Sequence, residues 1–133
     1  MKLLLSFFIG FLLFSLTNTS QAQSTGSIDS LLCKEWKLVS IQEGNDTYTL
    51  DPGEQNDRMI FYFNHRVKSI ESGTVEYGTW KYDADPKTLT IVDDASKETI
   101  VLQVVKLTHT ECVLVYKDAE GLILRIKMAS ASK

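Results

Sequence analysis

Apolar and polar residues alternate with a period of two along most of this chain, the spacing that sends successive side chains to opposite faces of a strand. Eight such runs can be read, at 34–42, 58–63, 66–71, 75–82, around Leu89 and Ile91, and at 98–107, 111–116 and 122–128. Turn-forming residues separate them, among them Asp51-Pro52-Gly53, Asn64-His65, Ser72-Gly73, Asp83-Ala84-Asp85-Pro86, Asp93-Asp94-Ala95-Ser96 and Asp118-Ala119-Glu120-Gly121. No stretch beyond the N-terminal segment carries a helical period. Connections this short force antiparallel neighbours, because a parallel crossover takes about a dozen residues or more. Eight strands in simple succession predict an all-β, eight-stranded antiparallel up-and-down barrel, whose closure leaves no sheet edge to protect.

The alternation also names a core. Trp36, Leu38, Met59, Phe61, Phe63, Trp80, Tyr82, Leu89, Ile91, Leu114, Tyr116, Leu122, Leu124 and Ile126 are expected to point inward, with Ser40 on the same face of the first strand. The sixth run is apolar on both faces and offers either Ile100, Leu102 and Val104 or the opposite set. Val39, Ile41, Ile60, Tyr62 and Ile123 then fall outside. No Asp, Glu, Lys or Arg is on the inward list, which describes a lumen without fixed charge. Such an interior suits an apolar or aromatic ligand oriented by Tyr hydroxyls and Trp N–H groups. It equally describes a small barrel filled by its own aromatic side chains. Of the inward set, Trp36, Leu38, Phe61, Phe63, Trp80, Tyr82, Tyr116 and Leu124 are the candidate ligand-binding residues. Strand parity puts the long 43–57 connection at one end, the expected mouth, and His65, His109, Asp83 and Asp85 at the other.

The N-terminus changes the picture of where the barrel works. Lys2 followed by an apolar stretch over 3–16, and then by Thr17-Asn18-Thr19-Ser20-Gln21-Ala22, has the anatomy of a secretory signal peptide cut after Ala22. The apolar stretch is shorter than the roughly 20 residues of a membrane span. The expected organisation is a signal peptide over 1–22, a flexible lead-in over 23–30 and one barrel domain over 31–133. The mature chain is expected to be exported, periplasmic or secreted, without membrane insertion. The net charge of −3 is spread along the chain without a basic cluster, which argues against nucleic acid and anionic membranes as partners.

Candidate chemistry is sparse. Cys33 and Cys112 in an exported chain invite a disulfide. Both fall at the base end, but one strand lies between theirs, a gap of roughly 10 Å against the 7 Å or less that a bridge requires. A long loop closed this way would stabilise the fold by about 4 kcal/mol, and the alternative is two buried apolar thiols. The His and Asp residues at the base turns lack any close-spaced ligand pair, and Asp46, Asp51, Glu54 and Asp57 lack the acid spacing of a calcium loop. Neither His is placed beside a nucleophile, so no catalytic residue, metal site or cofactor is assigned, and no enzymatic activity is expected.

Several short motifs in a fixed order resemble the lipocalin-like domain family of small exported bacterial proteins. They are Leu31-Leu32 leading to Trp36-Lys37-Leu38-Val39-Ser40, the Asp51-Pro52-Gly53-Glu54 loop, Met59-Ile60-Phe61, Gly78-Thr79-Trp80-Lys81-Tyr82 with Leu89-Thr90-Ile91, and Leu114-Val115-Tyr116. The chain departs from the lipocalin pattern at Lys34, where a Gly usually stands two residues before the Trp, and at the Asn64-His65-Arg66 turn. The resemblance implies a lipocalin-type barrel that binds a small hydrophobic molecule in the lumen or at the mouth, with no enzymatic activity. The competing expectation is a protein-interaction or envelope-accessory module with a filled core and no ligand.

Overall fold

The computed structural model describes residues 26–131. The expected signal peptide lies outside the described residues. A seven-residue helix, α1 (Gly26–Leu32), is followed by β1 (Glu35–Glu43), β2 (Asp46–Tyr48), β3 (Arg58–Phe61), β4 (Arg66–Glu71), β5 (Thr74–Asp83), β6 (Thr88–Asp93), β7 (Thr99–Leu107), β8 (Glu111–Lys117) and β9 (Ile123–Ser130). All neighbours are antiparallel, and β1 pairs with β9 from Trp36↔Ser130 to Glu43↔Leu124, so eight of the strands close a barrel. The ninth, β2, is a short hairpin partner of the far end of β1 inside what the sequence presents as a plain loop. No helix among the described residues is long and apolar enough to cross a membrane.

Turn chemistry sets the register. Ser72 and Gly73 both have positive φ (47° and 82°) and join Glu71↔Thr74, the two-residue turn that matches strand twist. Gly78 is needed for a different reason: a Cβ there would sit 2.3 Å from the backbone oxygen of Val92 on the neighbouring strand. Glycine is the side chain that lets β5 and β6 approach at that point.

The barrel is packed through its length. Trp36, Leu38, Phe61, Trp80, Leu89, Ile91, Leu102, Leu114, Leu124, Ile126 and Met128 form one buried cluster with Cys112 and Leu32. The sixth run resolves to its first alternative, with Leu102 buried, Ile100 and Val104 half-buried, and Val101 and Val105 on the outside.

Three expectations are corrected. The lead-in is helical from Gly26, and α1 brings Leu32 into the core, where its carbonyl accepts a hydrogen bond from Trp36 Nε1 at 2.9 Å. A helix this short leaves too few residues to show a period in the sequence. Ile41 is buried rather than exposed, because the β1–β9 register shifts between Leu38 and Ser40. That bulge inserts one residue and exchanges the two faces for the rest of the strand. Phe63 is 67% exposed, not in the lumen. It lies in a turn closed by His65 N–H donating to the Tyr62 carbonyl and Tyr62 N–H donating to the Arg66 carbonyl. β3 has ended at Phe61, so alternation no longer governs where Phe63 points.

Candidate binding site

The two ends of the barrel are built from different side chains. At the base, Trp80 Nε1 donates to the Tyr62 carbonyl at 3.0 Å, and the His65 ring stacks on the Trp80 ring with centroids 4.4 Å apart. Phe61 meets Trp80 edge-on at 6.1 Å. Lys34 lies 5.3 Å over Trp36 while its Nζ donates to the His109 carbonyl at 3.2 Å. Both indole N–H groups therefore end on backbone carbonyls, and Leu32 at the end of α1 packs into the core beside them.

At the mouth the inward rows turn polar. Val67, Ser69 and Glu71 follow one another on the inner face of β4, Glu76 and Gly78 on β5, and Ile91 and Asp93 on β6. Ser69 pairs directly with Glu76, and Gly78 with Asp93. Two pockets open here. One lies among Met59, Val67, Ser69, Glu76, Gly78 and Ile91, the other among Leu38, Asp57, Met59, Ser69, Glu71 and Met128. Each holds about 10 Å³, at most the space of one water. Met59 and Ser69 belong to both.

The expectation of an uncharged interior holds for the packed body and fails at the rim. Asp57 is buried, and Glu71 Oε1 is a buried oxygen without a hydrogen-bond partner. Burial pushes the Glu71 carboxyl up to about 7, and the charges of Asp57, Glu76 and Glu54 push the same way. Burial, with the charge of Asp93, also raises Glu76. Arg58 borders the second pocket, but its Nε is engaged with Glu35 at 3.0 Å. These acids were legible in principle: continuing the parity of Val67 and Ser69 reaches Glu71, and that of Ile91 reaches Asp93.

Of the candidate ligand-binding residues, Trp36, Leu38, Phe61, Trp80 and Leu124 are buried in the core, and Tyr82 and Tyr116 are half-buried against it. Leu38 also lines a pocket, and Phe63 is outside the barrel altogether. Met59, Ser69, Glu71 and Glu76 line the pockets and were not among them.

Cys33 and Cys112 are unbridged thiols. Cys112 is aligned with Met128 on β9, which is in turn aligned with Leu38 on β1, while Cys33 precedes β1 and donates its N–H to the Asp29 carbonyl of α1. Burial raises both, Cys33 to about 11 with help from Asp29 and Cys112 to about 12, which favours the protonated thiol at neutral pH. Among the described residues no group of three or more His, Cys, Asp or Glu is placed to hold a metal ion.

No curated protein matches the chain. Residues 32–114 match the family model described as a lipocalin-like domain, a span that runs from the end of α1 into β8 and takes in the whole lining of the first pocket and that of the second apart from Met128. With that match and a closed antiparallel barrel whose mouth carries the pockets, the chain belongs to the lipocalin-like domain family.

Proposed function

We propose that this is an exported, non-enzymatic binding protein that takes a small apolar ligand at the mouth of the barrel. The observation that carries the reading is the pair of pockets separated by Met59. Met is unbranched and adapts its shape at little cost. Rotation of that one side chain joins the two spaces into a single slot over the packed core. The lining around the slot is apolar except for Ser69, the acids above it and Arg58, which is paired with Glu35, so the ligand is uncharged or cationic at its exposed end. A carboxylate head there would meet Asp57, Glu71 and Glu76 without a free compensating cation among the described residues. Export rests on the sequence pattern of residues 1–22, and protein recovered from its host is expected to begin at Gln23.

The test is titration with a long-chain alcohol and with the fatty acid of equal length, followed by tryptophan fluorescence and native mass spectrometry. Saturable one-to-one binding of the alcohol, weaker binding of the acid at pH 8, and loss of both in Met59→Trp are expected. No adduct in host-purified protein and no saturable response to either compound would overturn the reading.

A second reading, an interaction module that uses its outer faces, is favoured by the packed lumen. Val75 and Tyr77 on β5 and Val101 and Val105 on β7 are 44–52% exposed. Failure of the titration together with a stable protein complex in host extracts would favour it.

A further inference from the structure

The wall of the barrel has a seam. β1 pairs with β3 only over Glu35–Lys37, and from there to the mouth its free side is taken by β2 and the loop rather than by a barrel strand. Residues 44–57 fill the gap. Leu50 packs against the core, and Asp57 makes the attachment to the sheet. The Asp57 carbonyl accepts from Leu38 N–H at 2.9 Å, its carboxylate accepts from Ser72 N–H at 2.8 Å, and its own N–H donates to the Glu54 carbonyl at 3.0 Å. Beneath this attachment Glu71, one residue before Ser72, borders the same pocket as Asp57 and holds a buried oxygen with no partner.

We propose that the 44–57 segment is a lid latched by a proton on Glu71: it closes over the mouth when Glu71 is neutral and loosens when Glu71 ionises. The argument rests on which charges face that carboxyl. The lid contributes Glu54 and Asp57, β5 contributes Glu76, and β6 places Asp93 behind Glu76. From β3 comes Arg58, already paired with Glu35. From β1 and β9 come Leu38 and Met128, which carry no charge. A negative charge on Glu71 therefore appears beside Asp57 with no cation among the described residues free to absorb it. Glu71 is fixed in the sheet and Asp57 is carried on the loop, so the repulsion is relieved by movement of the loop. Since Glu71 is held up to about 7, the change falls near neutral pH, closed on the acid side and loosened on the alkaline side. The inference goes beyond the binding reading and needs no ligand.

Amide hydrogen exchange of the full mature protein between about pH 5.5 and pH 8.5, expressed as protection relative to intrinsic rates, tests it. The amides of Leu38, Asp57 and Ser72 are expected to lose protection at least about fivefold as pH rises, while those of His65 and Trp80 at the base keep theirs. In Glu71→Gln the amides of Leu38, Asp57 and Ser72 are expected to stay protected across the range. An equal fall in the variant, a flat profile in the wild type, or a fall shared by the base amides would overturn the latch. Should Glu71→Gln fail to fold, the side-chain carboxyl ¹³C shift of Glu71 in the wild-type protein decides. A midpoint near 7 tracked by the Ser72 amide supports the latch, and a midpoint below 5 overturns it.

Discussion

The base and the mouth of this barrel satisfy their polar groups in opposite ways. At the base the Trp36 and Trp80 indoles donate to the carbonyls of Leu32 and Tyr62, and aromatic rings fill the space around them. At the mouth the Glu71 oxygen is left without a partner among other acids, and small spaces persist beside it. A fully satisfied polar network is rigid and specifies one arrangement, whereas an orphaned buried group is a standing cost. The contrast assigns stability to one end and change to the other.

The comparison can be broken most directly at the base. Trp36→Ala is expected to cost about 3–5 kcal/mol, measured by denaturant unfolding, because it empties a fully buried site and removes one of the two donors to the Leu32 carbonyl. A loss under about 1 kcal/mol would mean that the base does not hold the fold. Asp57→Ala is expected to cost less, about 1–3 kcal/mol, by removing the acceptor of Ser72 N–H. Its loss of protection in hydrogen exchange should be concentrated in the lid, and an even loss over the whole barrel would erase the distinction between the ends.

A pH series sharpens the comparison further. Glu71 is raised in the folded state from the usual 4.5 to about 7, so the folded protein binds its proton more tightly than the unfolded chain does. Its contribution to stability is complete below about pH 4.5, declines as pH rises through 7, and is absent above. Urea midpoints for wild type and Glu71→Gln at a series of pH values should converge in acid and separate as pH approaches 7, with the variant the more stable. The smallest effect is expected at the turn that the alternation misplaced. Phe63→Ser should shift stability by less than about 0.5 kcal/mol by thermal unfolding, since the ring is mostly in water.

What the sequence makes legible follows from its periodicity, and what it hides follows from the interruptions. β4 spans the same residues in sequence and structure because a tight turn bounds it at Ser72-Gly73 and its alternation is unbroken. Ile41 was misplaced because a bulge leaves no mark in a run such as Val39-Ser40-Ile41, where either face could be apolar. Phe63 was misplaced because an apolar residue in a turn continues the pattern of the strand before it. The mouth was missed for a different reason. Glu71, Glu76 and Asp93 are absent from the expected inward set, although the parity of their own strands points them inward. Burial of a carboxyl is a tertiary outcome, set here by the loop that folds over it and by Asp57.

The pairing of β1 with β9 has a consequence for how the molecule comes into being. These strands lie at opposite ends of the folded sequence, so their contact carries the largest chain separation in the barrel and forms only after the last strand is present. Until then β1 and β8 are both open edges, able to recruit a strand from another copy. Contacts of long sequence separation slow folding, and the vulnerable interval lengthens with it. How quickly the ring is joined thus decides how long those edges stay open.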